Sequence, residues 1–368
     1  MNISVFNTYI HPDAVKKVND VLGSTFISEG KLVKDFENKL TSELGIKNPV
    51  AVNSGTSALH LALVMAGVKR NDEVILSAQT FIATGSVILQ QSAVPVFADI
   101  EYKTGNISVQ SIKNKLSSRT KAIIAVHWGG YPCDMDEIIE LASENNIMVI
   151  EDAAHSLGST YKDKVIGEIS DLTCFSFQAI KHLTTGDGGA IACKNKEIFN
   201  KTLVNRWFGI DRANSINSHL GERVFDIDNL GFKYHMNDYS AALGLANFTN
   251  FKKRLNHRIK LANIYRQELS KIDGISLFNY KPDRQSSYWL FGFHVQNRDS
   301  FISTLKSKGI MSSVIHQGID KYKIFGGIDM QLKNQREFDK TQIHIPIHDA
   351  VTVEQAYYIT ETIKKGWT

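Results

Sequence analysis

The chain has 368 residues, 43% of them hydrophobic and 22% charged, with a net charge of +4. That length suits a large domain plus a smaller one, and the composition is that of a soluble folded protein, not a disordered or fibrous one. The mild positive excess is spread along the chain without a basic tail, so it gives no reason to expect nucleic acid and would suit a small anionic substrate.

The first 30 residues read as irregular, with a helix starting near Pro12-Asp13-Ala14-Val15. Leu32 to Leu44 has helical spacing, with Leu32, Val33, Phe36, Leu40 and Leu44 on one face. Val50-Ala51-Val52 then reads as a short strand, Ser54-Gly55-Thr56 as a tight turn, and a helix starts at Thr56 or Ser57. Free N–H groups at that helix start, with two hydroxyls, can form an anion site or a plain N-cap.

A repeating strand-and-helix pattern follows. Strands are expected at Glu73 to Ser77, Val94 to Ile100, Lys121 to His127 and Ile147 to Asp152, with helices at Phe81 to Gln90, Val109 to Leu116 and Met135 to Glu144 between them. Leu172 to Phe177 and Ala190 to Cys193 are two further apolar runs. Nearly all-apolar strands alternating with helices predict a mostly parallel sheet covered on both faces, with ligands at the carboxyl ends of its strands. Asp152, His127, the Ser77 to Phe81 turn and the Ser54 to Ser57 turn fall at such ends.

Beyond Gly189 come Arg206-Trp207-Phe208 and a polar stretch, Ala213 to Glu222, expected to be a loop. A helix from Tyr239 to Lys253, continuing toward Leu269, is where a second domain is expected to begin. Alternating runs near Tyr288 to Val295, a helix at Arg298 to Lys308 and a last helix at Val353 to Lys365, opened by Thr352 and Glu354, complete the chain. Cys133, Cys174 and Cys193 sit far apart in apolar contexts and read as buried free thiols, with no disulfide framework or metal cluster. The start of the chain has no signal-peptide pattern and no apolar run is long enough to span a bilayer, so a cytoplasmic protein is expected.

Ser176 to Gly189 organises the rest. Lys181 follows a predicted buried strand and precedes the Gly186-Asp187-Gly188-Gly189 turn, where backbone can pass close to a ligand. A lysine in a pocket, with a carboxylate able to face a pyridine nitrogen, is what pyridoxal 5'-phosphate requires. Lys181 is the candidate amine for the cofactor's aldehyde and also the candidate proton carrier, and Asp152 is the candidate carboxylate. Phe81 is the candidate stacking ring, and Thr56, Ser57 and Ser176 are candidate phosphate donors.

At this point the chain resembles the DegT/DnrJ/EryC1/StrS family of nucleotide-sugar aminotransferases. The pieces that carry the resemblance occur in family order: Ser28-Glu29-Gly30, Phe36-Glu37, Asn53 to His60, Thr80 to Thr84, Pro95 to Ile100, Asp134-Met135-Asp136, Glu151 to Ser156, Ser176 to Lys181, Gly186 to Gly189 and Ile345 to His348. The resemblance implies an α/β, aspartate-aminotransferase-like architecture of fold type I. A large domain over 1–245, with seven strands in a mostly parallel sheet, would precede a smaller α+β domain over 246–368. It also implies roles: Lys181 as the Schiff-base lysine, Asp152 at the pyridine nitrogen, His155 beside the ring oxygen, Phe81 on the ring, and Thr56, Ser57 and Ser176 on the phosphate.

The implied activity is transfer of the amino group of L-glutamate to a nucleotide-linked keto-deoxysugar, for surface-polysaccharide, lipopolysaccharide O-antigen or related amino-sugar biosynthesis. The implied assembly is a homodimer with shared active sites. The sugar, the nucleotide and the choice between a C3 and a C4 ketone stay open, as does a keto sugar without a nucleotide. Relatives with His at the lysine position are dehydratases, so Lys181 favours amino transfer over that alternative. A nicotinamide enzyme would need a G-x-G-x-x-G turn after a strand, and none occurs.

Two segments depart from the family. Lys233 stands where Asn is common, at a position that usually reaches the neighbouring subunit's cofactor phosphate, and it is kept as a cofactor ligand. Val314 to Asp320 differs around the substrate pocket, where His316 is either a substrate contact or structural. Arg206, Arg212, Arg223 and Lys233 are unranked candidates for the diphosphate.

Overall fold

Strand residues that alternate between two apolar faces build the centre of the molecule. The computed structural model describes residues 2–212 and 214–367. Seven strands form one sheet: β1 (Pro49–Val52), β2 (Glu73–Ser77), β3 (Val94–Ala98), β4 (Thr120–Val126), β5 (Met148–Asp152), β6 (Leu172–Ser176) and β7 (Gly189–Cys193). Their order is β1-β7-β6-β5-β4-β2-β3, and β7 alone runs against the others. Ala51, Ile75, Ile123 and Val149 pack into the core on one face, while Val50, Val74, Ile124 and Ile150 pack into the core on the other. That is the period-two alternation of a sheet buried on both sides.

The register aligns the ends that matter. Val126 lies beside Asp152, Asp152 beside Cys174, Ser176 beside Gly189, and Gly189 beside Val52. Because β7 is reversed, its first residue joins the carboxyl ends of its neighbours at one edge of the sheet.

A third core is built on a small antiparallel sheet of Ile275–Leu277, Phe291–Val295 and Gln342–Ile345. Phe291, Phe293, Ile343 and Ile345 pack there against Leu261, Tyr265 and Leu269 of the helix Phe251–Leu269 and against Ile359 and Ile363 of Val353–Lys364. Ile3 joins this core and pairs with Ile310, so the start of the chain is tied to its C-terminal part.

Two expected elements differ in the structure. The helix expected from Tyr239 toward Leu269 is two helices, Asp238–Asn247 and Phe251–Leu269. Asn250 breaks it with φ +60°, a conformation Asn tolerates, and the break lets both Phe248 and Phe251 turn inward. Within the stretch expected to be a loop, Ala213 lies outside the described residues, and Ile216–Asn217 pairs with Arg223–Val224 as an exposed hairpin. The last helix opens on Thr352 with Glu354 in its first turn, as expected, and Gln355 completes a reciprocal cap in which its side chain and that of Thr352 bond each other's backbone N–H.

Candidate active site

The aligned strand ends enclose a cavity of about 510 Å³. Thr56, Phe81, Asp152, His155, Ser176 and Lys181 all line it.

Asp152 ends β5 and is buried. It accepts hydrogen bonds from Thr84 Oγ1 (2.8 Å) and from the Ala154 N–H (3.1 Å). Burial pushes its pKa up, and the bonds from Thr84 and Ala154 with the charge of Lys181 oppose that shift. Thr84 is itself bonded to Thr80 (2.7 Å), one helical turn earlier.

Lys181 lies in the turn after β6, with its Nζ 3.7 Å from the centre of the Trp289 ring. Burial lowers its pKa to about 7, and the Asp152 carboxylate works against that shift. Trp289 is fixed by its Nε1–H, which donates to the Ile180 carbonyl (3.0 Å), and by His155 stacked at 3.8 Å. Burial, followed by the charge of Lys181, holds His155 well below the usual histidine range, so its imidazole is neutral. Its buried Nδ1 has no hydrogen-bond partner among the described residues.

The anion cradle forms where three backbones converge. Ser54 caps the helix Gly55–Met65 by accepting from the Ser57 N–H (3.0 Å). A Cβ on Gly55 would lie 2.8 Å from Ser176 Cβ, and one on Gly189 would lie 2.6 Å from the Ser54 carbonyl oxygen. Glycine at both places lets β6 and β7 close on the helix start, whose first N–H groups have no intrahelical acceptor. Thr56 and Ser176 add hydroxyls at the same wall.

Two candidates stand elsewhere. Ser57 is buried, with its hydroxyl spent on Asn53 Oδ1 (2.6 Å) and Ser54 Oγ (2.8 Å), and it does not line the cavity. Lys233 is exposed, with its Nζ 4.6 Å from the centre of the Trp207 ring. Phe81 lines the cavity but is 52% exposed, its free face turned outward beside His316 (5.3 Å between rings). Burial lowers the His316 pKa to about 4.

Thr84 and Trp289 also line the cavity and were not singled out from the sequence. The spacing of four from Thr80 was the signal for Thr84; Trp289 lay in the alternating run near Tyr288 to Val295 and carried no signal of its own. Among the described residues no group of His, Cys, Asp and Glu could hold a metal ion. No described helix is long and apolar enough to cross a membrane.

An amine with a lowered pKa, a buried carboxylate, an imidazole nitrogen unpartnered among the described residues and a cradle that closes only on glycine match the aldehyde, pyridine nitrogen, ring oxygen and phosphate of pyridoxal phosphate. Fold and site together define a pyridoxal-phosphate enzyme of fold type I. The model of the DegT/DnrJ/EryC1/StrS aminotransferase family matches residues 8–364, and the chain belongs to that family. It is 30% identical to the GDP-perosamine synthase of Escherichia coli O157:H7, over 95% of this chain and 94% of that protein. It is 31% identical to the UDP-4-amino-4,6-dideoxy-N-acetyl-beta-L-altrosamine transaminase of Campylobacter jejuni strain 81-176, over 98% of this chain and 99% of that one. Spr1654 of Streptococcus pneumoniae, solved in its PLP form, superposes with a TM-score of 0.91 at 28% identity, covering 99% of this chain and 98% of that one. The protein is a sugar aminotransferase.

Proposed function

We propose that the protein transfers the amino group of L-glutamate to a nucleotide-linked keto-deoxysugar, in amino-sugar synthesis for a surface polysaccharide. The observation that carries the reading is the Lys181 amine, lowered to about 7, sharing one cavity with buried Asp152. The names of the GDP- and UDP-sugar relatives support a nucleotide-linked acceptor.

Bound in this cavity, pyridoxal phosphate supplies an aldehyde that carries the amino group and a ring that accepts electrons. The protein's own groups do the rest. Thr56, Ser176 and the first N–H groups of the helix Gly55–Met65 hold the phosphate. The Asp152 carboxylate, steadied by Thr84, keeps a proton on the pyridine nitrogen. His155 would offer its Nδ1 to the ring oxygen, and Phe81 would offer a face for the ring to stack on. Lys181 would move a proton between the substrate carbon and the cofactor carbon, a role its lowered pKa suits near neutral pH. Trp289 gives the amine a seat beside the reacting carbon.

The assembly in this reading is a homodimer. The exposed hairpin carries Leu220 (77% exposed) and Leu230 lies just beyond it (81% exposed), an apolar surface suited to a second copy, and exposed Lys233 would serve the partner's site. A cytoplasmic setting accords with three buried free thiols.

The test is product analysis. Incubation of the purified enzyme with L-glutamate and a GDP- or UDP-linked 4-keto-6-deoxysugar is expected to yield 2-oxoglutarate and the amino sugar in equal amounts. Loss of water from the sugar without 2-oxoglutarate would establish a dehydratase instead.

A further inference from the structure

A second hollow of about 380 Å³ adjoins the reactive cavity and shares Thr80, Phe81 and His316 with it. Gln317, Lys321 and Tyr322 form the rest of its polar wall. Lys321 Nζ donates to Gln317 Oε1 (2.7 Å), a neutral acceptor. The adjacent carboxylate, Asp320, is engaged instead by Arg336 (2.8 Å). Among the described residues that line either hollow, the lysines and arginines are Lys181 and Lys321.

The segment that carries Lys321 is held firmly against the large sheet. The His316 carbonyl accepts from the buried amides of Gln79 (3.0 Å) and Gln342 (2.9 Å). The Gly318 N–H donates to Asp339 (3.0 Å), and the Ile319 N–H donates to the Ala78 carbonyl (2.9 Å). Gln79 and Ala78 lie just before Phe81 in the chain, so Lys321 and Phe81 keep a fixed relation before any ligand arrives. Such a contact forms without ordering a loop.

The four cations weighed from the sequence are differently placed. Arg206 is buried and bound to Glu37 (2.7 Å), the Ala51 carbonyl (2.8 Å) and Glu29, and Arg212 also pairs with Glu29 (3.1 Å). None of Arg206, Arg212, Arg223 and Lys233 lines either hollow. The two hollows meet at Phe81 and His316, so a sugar held beside Lys181 has the second hollow as its neighbouring space.

We infer that the second hollow receives the diphosphate of the acceptor, with Lys321 as its charge partner and the exposed ring of Tyr322 beside the nucleoside; this rests on the reading of the acceptor as a nucleotide sugar. The geometry makes Lys321 and Tyr322 specificity residues, apart from the groups that carry the proton.

The experiment is calorimetric titration of UDP, GDP and inorganic pyrophosphate into the pyridoxal-phosphate-loaded enzyme, wild type and variants. Lys321→Gln is expected to weaken all three by about tenfold or more, the effect of a lost charge-assisted hydrogen bond. Lys321→Arg restores most of it. Tyr322→Ala weakens UDP and GDP but not pyrophosphate, which separates a nucleotide seat from a general phosphate site. Equal UDP and GDP affinity in Lys321→Gln and wild type would overturn the placement while leaving the acceptor reading intact. Wild-type enzyme that binds neither nucleotide would overturn both. The change in absorbance with L-glutamate, read on the same samples, then shows whether amino transfer itself survives.

Discussion

Lys181 is half-buried, with its amine drawn out of water, so its charge is costly and that cost has a measurable sign. Its pKa falls from 10.5 to about 7, chiefly through burial. Between those values the unfolded chain holds the proton and the folded one does not, so stability rises with pH across this window. Below about 7 both states are protonated and the full cost of the buried charge remains. Urea titrations of the cofactor-free protein at about pH 7 and pH 9 are expected to show a higher midpoint at the upper pH, and Lys181→Met to reduce that difference. Asp152→Asn keeps the shape that Thr84 and Ala154 recognise but removes the charge. Stopped-flow mixing with L-glutamate is expected to show a rate about a hundredfold lower or more, as for other losses of fixed electrostatic stabilisation. Lys181 and Asp152 were legible because each ends a recognisable apolar run. Trp289 was not, because its contact with the amine joins residues more than 100 positions apart.

Short motifs become intelligible once the elements meet. Glu29 and Glu37, quoted for the resemblance, hold Arg206 rather than a ligand. Asp238 caps the helix Lys31–Leu44 from a distance, accepting from the Gly30 (2.9 Å) and Val33 (3.0 Å) N–H groups. Spacing could not reveal either contact, since both partners lie far apart in the chain. The strands of the large sheet were legible to within a residue or two, because apolar runs bounded by turn residues leave little choice, whereas Ile275–Leu277 and Gln342–Ile345 of the small sheet were not. The break at Asn250 was not, since one residue at φ +60° interrupts an otherwise helical pattern. Gly189→Ala would drive a Cβ against the Ser54 backbone, which cannot rotate away as a side chain can. It is expected to cost about 1–3 kcal/mol in a denaturant titration, the usual range for overpacking, and to loosen retention of the cofactor on dialysis. Thr352→Ala, which removes half of the reciprocal cap on the last helix, is expected to cost about 1 kcal/mol.

For the whole molecule, the arrangement gathers the candidate catalytic groups at one end of the sheet's strands and leaves a hairpin with exposed Ile216, Leu220 and Val224 outside. Sedimentation is expected to report a homodimer, and Leu220→Asp with Leu230→Asp to release monomers that respond weakly to L-glutamate. A wild-type monomer with full reactivity would remove the shared-site reading while leaving the cavity's chemistry in place. The sheet order and its reversed strand were not legible in the sequence, because pairing partners depend on tertiary packing and not on local pattern. The central claim is that Lys181 in this cavity carries amino transfer with L-glutamate. The measurement that tests it most directly is the absorbance spectrum of the purified protein before and after L-glutamate, beside Lys181→Ala. A visible band that shifts with glutamate in the wild type, and is absent or unresponsive in the variant, is the predicted result. A wild-type spectrum unchanged by L-glutamate, or a variant that responds like the wild type, would contradict it.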